Sequence, residues 1–175
     1  MQKEPKDIPN FGCACSGNGD RTMILGKQFY VTHSDSIAIL AANSTSFMKT
    51  KLTGVSRTLA TAGALDQVAK NLKLCLYEVP LAWEYSANLM DAGLVQLCGD
   101  ENFSIGSSHI REKDGIWTIL AWLSIIADRN KFSPEGELVG VKAIVEEHLK
   151  TYGRNYFCSY YFLKEIFSSL MHIQI

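Results

Sequence analysis

The hydrophobic pattern changes period several times along the 175 residues, and each change predicts an element. PNFGCACSGNGDRTMILGKQFYVTH (9–33) reads as a strand, a glycine-rich polar loop, a second strand, a tight turn at Gly26–Lys27 and a third strand. IAILAAN (37–43) is almost continuously apolar, which predicts a short helix pressed against a sheet, with Ser34 or Asp35 of the preceding HSDS turn as its cap. LTGVSRTLA follows as a strand, and TAGALDQVAKNL, with Leu65, Val68 and Leu72 at helical spacing, as a helix. LKLCLYEVP (72–80) is a β-favouring run ended by proline, WEYSANLMDAG predicts a helix closed near Gly93, and LVQLCG (94–99) another short strand. This alternating β-α-β-α-β order is the signature of an α/β layer.

The second half of the chain is less regular. Residues 99–115 read as a polar loop that leads into GIWTILAWLSIIA (115–127), a run whose apolar density predicts a buried helix. Charge, Pro134 and Gly136 make 129–137 a surface loop. Val141, Ile144, Val145, His148, Leu149 and Tyr152 share one face of a helix that Gly153 ends. The aromatic-rich end predicts a strand through 155–161 and a short helix after it.

Composition narrows the class. A hydrophobic fraction of 47% with 20% charged residues fits a globular protein rather than a disordered one. A net charge of -1, with scattered lysine and arginine, gives no reason to expect nucleic acid as a partner. MQKEPKDIPNFG lacks the apolar stretch of a secretory signal, and the 13-residue run at 115–127 is too short to span a bilayer. The expectation is a cytoplasmic protein without membrane contact. Five cysteines (13, 15, 75, 98, 158) include a tight C-A-C pair but no second cluster at metal-site spacing, so buried free thiols are expected.

Two segments carry candidate chemistry. Glycines in SGNGDR (16–21) let backbone N–H groups converge on an anion or a side chain approach a ligand. Neither G-x-x-x-x-G-K-[ST] nor G-x-G-x-x-G is present, and Asp20 is the loop's only carboxylate, with Asn18 and Ser16 at alternate positions. The chemistry alone leaves a plain turn first and a weakened metal or phosphate loop second. GDENFSIGSSHIREKDG (99–115) gathers Asp100, Glu101, Asn102, His109, Arg111 and Lys113 after a strand, where α/β proteins bind ligands. A solvated loop is the competing reading. No Ser-His-Asp order, HExxH or CxxC pattern appears.

GDRTMILGKQFYVTHSDSIAILAAN, GALDQVAKNL, NLMDAG, GSSHIREKDGIWTILAWLSIIA and YGRNYF together resemble phosphoglucomutases of the α-D-phosphohexomutase superfamily, in family order over about residues 11 to 160. The resemblance implies a three-layer α/β/α domain with a mixed sheet, flanked by partial neighbouring domains. In a four-domain family chain, residues 1–32 would match the end of the second domain with its metal loop. Residues 33–153 would be the sugar-recognising third domain, and 154–175 the opening of the fourth. The family's phosphoserine loop and its C-terminal phosphate-binding loop have no counterpart in these 175 residues.

The resemblance also implies an activity, interconversion of glucose 1-phosphate and glucose 6-phosphate with magnesium, and a set of site residues. The family's D-G-D-G-D-R metal loop is S-G-N-G-D-R here, so Ser16, Asn18 and Asp20 stand at the metal positions with Arg21 beside them. Two lost carboxylates imply weak magnesium binding. The family's G-E-E-S-F-G sugar loop is GDENFS, which puts Asp100 and Asn102 at sugar contacts, while T-P-T-G-W is VPLAW, with Leu81 and Ala82 in place of threonine and glycine. Lys113, His109 and Arg111 match retained active-site positions. The resulting expectation is a glucose-phosphate-binding protein with impaired or absent catalysis. The alternatives are a non-catalytic structural or interaction protein, or the product of a partial gene. Surface normally covered by neighbouring domains would favour self-association.

Overall fold

The computed structural model describes residues 8–134 and 137–158. The first strands, β1 (Phe11–Cys15), β2 (Thr22–Gly26) and β3 (Phe29–Tyr30), form a small antiparallel sheet in the order β1-β2-β3. The helix after them, α1 (His33–Ala42), starts earlier than the apolar run suggests. Its cap is Thr32, whose Oγ1 accepts the Asp35 N–H at 3.1 Å. Ser34 and Asp35 therefore lie inside the first turn, because a threonine three residues ahead of an acid is already a complete capping arrangement.

Beyond α1 come β4 (Gly54–Thr58), α2 (Ala64–Leu72), β5 (Cys75–Val79), α3 (Trp83–Asp91), β6 (Leu97–Gly99), β7 (Ile105–Ser107), β8 (Glu112–Lys113), α4 (Gly115–Arg129) and α5 (Val141–Tyr152). The five-stranded sheet has the order β5-β4-β6-β7-β8. β4 runs parallel to β5 and β6, while β7 and β8 are antiparallel, so the sheet is mixed.

Strand alternation divides the sheet into two apolar faces. Val55 and Leu97 point into a core with Ile37, Leu40, Leu65 and Val68 from α1 and α2, and with Ile144 from α5. Their neighbours Ser56 and Cys98 face α3, where Ser56 and Ser86 share a buried hydrogen bond of 3.0 Å and Met90 and Val95 pack. Helices thus cover both faces, and the fold is the expected three-layer α/β/α arrangement with a mixed sheet. Gly54 is required at the start of β4, since a Cβ there would lie 1.8 Å from the Leu94 carbonyl oxygen. Ile24 of β2 and Val31 join the same core as α1, which ties the small sheet to the larger one.

Several expectations need correction. The 99–115 segment is not one loop but contains the β7–β8 hairpin, because Ile105–Ser107 finds its ladder on β6 rather than in its own composition. α4 is not buried all round. Trp122 is fully buried and donates its Nε1–H to Ser36 Oγ at 2.9 Å, but Ile116, Leu120 and Leu123 form an exposed row. Of the five free cysteines only Cys98 is buried. Residues 155–158 carry no regular structure, and the rest of the predicted strand and the helix after it lie outside the described residues.

His148 provides a test of the α1–α5 contact. It is 6% exposed, with its ring 4.7 Å from that of Tyr152. Burial pushes its imidazole down to about 4, against a smaller upward pull from Asp35. The unfolded chain takes up this proton near pH 6.5, so the stabilisation is complete above that value and is lost as pH falls toward about 4. Urea unfolding midpoints should decline across this window, and His148→Leu should flatten part of the decline. An unchanged slope in the variant would exclude the assignment.

Candidate functional site

The parallel strands β4, β5 and β6 all end at the same edge of the sheet, and their trailing residues meet there. Thr58 ends β4, Leu81, Ala82 and Trp83 follow β5, and Asp100, Glu101 and Asn102 follow β6. Together with Lys113 they line a cavity of about 90 Å³. A crevice outside the carboxyl ends of parallel strands is where open α/β sheets bind ligands.

Asp100 organises this crevice. It is 8% exposed, and its Oδ1 accepts the Asn102 N–H at 2.8 Å and the Ser104 N–H at 3.1 Å. Its Oδ2 faces Lys113 Nζ at 3.2 Å. A buried carboxylate needs such full pairing to avoid a large desolvation penalty. The turn it holds is tight enough to put Phe103 at φ 64°. Lys113 sits on β8 opposite Gly106 of β7, so its position is fixed by a strand rather than by a mobile loop. Its ammonium lies 5.6 Å from the centre of the Trp83 ring, a cation–π distance.

Two residues of this crevice, Thr58 and Trp83, were not singled out in the sequence. Thr58 donates its hydroxyl to Glu101 Oε2 at 2.5 Å, and Asn102 Nδ2 donates to Glu101 Oε1 at 2.8 Å. Trp83 Nε1 is buried, and among the described residues it has no hydrogen-bond partner. The signal that could have found them is their place, directly after predicted parallel strands.

The 16–21 loop lies beside this crevice. Ser16 Oγ donates to Asp20 Oδ1 at 2.8 Å and accepts the Arg21 N–H at 3.1 Å. The Ser16 hydroxyl, then the Asn18 side chain, Arg21 and Lys113, hold the Asp20 carboxyl below the usual carboxylate range. Two backbone contacts fix the loop against its neighbours. The Gly115 N–H donates to the Gly19 carbonyl at 2.7 Å, and the Thr22 N–H donates to the Phe103 carbonyl at 2.9 Å. A Cβ on Gly115 would lie 2.4 Å from Thr22 Oγ1, 2.7 Å from Gly19 O and 3.0 Å from Cys15 Sγ, so no side chain fits.

A divalent hard cation asks for several oxygen ligands, commonly with more than one carboxylate. Asp20 is one carboxylate, and one of its oxygens already accepts a serine proton. This donor set does not fit a resident magnesium ion. Among the described residues no group of three or more histidine, cysteine or acidic side chains is arranged to hold a metal.

His109 and Arg111 are drawn toward structural partners. The His109 ring takes Ser107 Oγ at Nδ1 and Asp114 Oδ2 at Nε2 (3.1 Å), and stacks on Trp117 with centroids 5.1 Å apart. Asp114 caps α4 by accepting the Trp117 N–H at 2.9 Å. Burial alone would raise the Asp114 carboxyl, but the Trp117 N–H, His109 and the Ile116 N–H together hold it below the usual range. Arg111, at φ 60°, pairs through Nε with Asp91 of α3 on the surface. The structure therefore brings Asp100, Asn102 and Lys113 together with Asp20 and Arg21 nearby, while His109 and Arg111 sit on the turn that leads into β8.

The family model for phosphoglucomutase/phosphomannomutase α/β/α domain III matches residues 33–152. A cytoplasmic phosphoglucomutase of Pisum sativum is 48% identical over 184 residues, covering 99% of this chain and 32% of its own length. One from Zea mays is 51% identical over 177 residues, covering 95% and 30%. The chain thus spans about a third of the length of the relatives it matches. Among solved structures, parafusin of Paramecium, described as a phosphoglucomutase and captured in an open form, matches with a TM-score of 0.83 and 51% identity over 87% of this chain and 27% of its own. A candidate phosphomannomutase of Thermus thermophilus shares the fold, with a TM-score of 0.72 at 20% identity over 85% of this chain and 32% of its own.

The Gly115 contact can be tested directly. Gly115→Ala should lower stability by about 1–3 kcal/mol, the usual range for overpacking. Hydrogen exchange should then quicken at the Arg21 and Thr22 amides before it does in the core strands β4 and β6. Wild-type protection at those two amides in the variant would show that the loop does not depend on this contact.

Proposed function

The chain belongs to the phosphoglucomutase/phosphomannomutase family, and on that premise we propose that it binds a glucose phosphate at the carboxyl edge of its five-stranded sheet. The observation that carries this reading is the pairing of buried Asp100 with half-buried Lys113 beside Trp83, an acid and an ammonium flanking a small crevice. Asp100 and Asn102 would contact sugar hydroxyls, with Arg111 at the rim. Lys113, His109 and Arg21 would be the groups nearest a transferring phosphate. Residues 33–153 would form the sugar-recognition domain, with 1–32 and 154–175 belonging to its neighbours. The pea and maize relatives are named cytoplasmic, which supports the same location here.

Catalysis by this polypeptide alone would be weak or absent. Phosphoryl transfer depends on positioning and on charge that stabilises the transferring group. The 16–21 loop offers Asp20 as its one acid, with Ser16 and Asn18 at the other two metal positions. Magnesium, the family's metal, would be held poorly by that set.

A second reading, association with another chain, is favoured by the exposed apolar row of Ile116, Leu120 and Leu123 on α4. Contiguous apolar surface of this kind marks contact sites. It is compatible with sugar binding, since the row lies on α4 and the crevice at the strand ends.

Glucose 1-phosphate should raise the melting temperature of the wild-type chain, as any ligand of the folded state does. Lys113→Met and Asp100→Asn should each weaken its binding by about tenfold or more, the size of one charge-assisted hydrogen bond. Equal binding by Lys113→Met would overturn the site. Millimolar magnesium should leave the melting temperature unchanged, and a phosphotransfer assay with glucose 1-phosphate and its bisphosphate activator should show little turnover. Solution scattering should report a species larger than the monomer, reduced in size by Leu120→Glu. A monodisperse wild-type monomer would sink the association reading.

A further inference from the structure

We propose that Cys13 and Cys15 form a two-thiolate site for a soft, low-coordinate cation of the Cu(I) type. Both residues lie on β1, two apart, in an unbroken antiparallel register with β2 that pairs Cys13 with Ile24 and Cys15 with Thr22. Alternation along the strand therefore directs both side chains to the same face. Free cysteine is among the most buried residue types, yet both of these are exposed and neither is in a disulfide. Among the described residues β1 is also an edge strand of its sheet.

The spacing selects the chemistry. Two residues of strand separate the Cα atoms by roughly 6.6 Å, at the far limit for a disulfide. A single ion bridging the two sulfurs tolerates that span better, because it inserts two metal–sulfur bonds of about 2.3 Å where a disulfide has one short bond. Among the described residues no third histidine, cysteine or acid completes a cluster, so tetrahedral zinc is not the fit. Soft thiolate ligands select Cu(I). Cys15 Sγ also rests 3.8 Å from Thr22 Oγ1 and close beside Gly115 at the start of α4, which restrains one of the two ligands.

The other thiols are poor competitors. Cys98 is fully buried, with its thiol pushed up by burial, while Cys75 and Cys158 are exposed but have no second cysteine two residues away along the chain. Binding is an exchange without redox change: one Cu(I) displaces the two thiol protons, two sulfur–copper bonds form, and two protons go to solvent. Affinity therefore falls as pH falls.

The test titrates the reduced full chain with Cu(I) under anaerobic conditions, in competition with a chromophoric Cu(I) chelator. One copper per chain should bind and shield two thiols from a disulfide reagent. X-ray absorption should show two sulfur neighbours. Cys13→Ser and Cys15→Ser should each weaken binding by about 100-fold or more, the loss expected when the second ligand ceases to be intramolecular. Cys75→Ser should bind as wild type does. Undiminished affinity in both the Cys13 and Cys15 variants, or one copper shared by two chains in sedimentation, would overturn the proposal.

Discussion

The contact between Gly115 and Gly19 is the joint on which the site is assembled. It is a hydrogen bond of 2.7 Å between two backbones, made where no Cβ can be accommodated. Gly115 is also the first residue of α4, directly behind the capping Asp114, which in turn holds His109. The start of one helix therefore positions three things at once: the 16–21 loop, the end of β8 with Lys113, and the turn carrying His109. Without that approach, the small antiparallel sheet would still be tied to the larger unit by Ile24 and Val31 in the core and by the Thr22 N–H on the Phe103 carbonyl, but the Gly19 end of its loop would lose its anchor.

The second constraint is the full use of Asp100. One oxygen holds two loop N–H groups and the other meets Lys113, so the carboxylate shapes its own turn and anchors a neighbouring strand. Burying such a charge is tolerable only because every partner is in place. The strain at Phe103 fits this picture, since a non-glycine residue at positive φ persists only where its surroundings over-determine it. The crevice is then rigid before any ligand arrives, which limits the ordering entropy lost on binding.

Much of this was legible in the chain. The helices over 64–72 and 141–152 were legible because they bury one face and repeat accordingly, and the strands at 54–58 and 75–79 as short β-favouring runs, the first of them buried along its whole length. The short β7 and β8 were not legible, since three residues of Ile-Gly-Ser hold no period and become strand only by pairing with β6. The exposure of Cys13 and Cys15 was missed for the opposite reason, as residue type predicts burial while an edge strand overrides it. Asp100 and Lys113 stood out by charge in a polar segment. Thr58 and Trp83 did not, because their relevance comes from the order of parallel strands and not from their own chemistry.

The same geometry explains how the 16–21 loop keeps its shape with a single acid. Its form rests on the Ser16 hydroxyl, which donates to Asp20 and accepts the Arg21 N–H, and on the Gly19 carbonyl, which meets Gly115. A loop shaped by clustered carboxylates would fly apart without a cation to neutralise them, since like charges at such separations repel. Replacing acceptors by a hydroxyl that donates removes both the repulsion and the demand for the ion. The loop's fold is thereby uncoupled from metal. The crevice, held by Asp100 and by the strand that bears Lys113, uses none of the loop's side chains for its own structure. The crevice and the loop therefore share the backbone joint at Gly115 but no side-chain support, so the loop's acids can be replaced without disturbing the hydrogen bonds that hold the crevice.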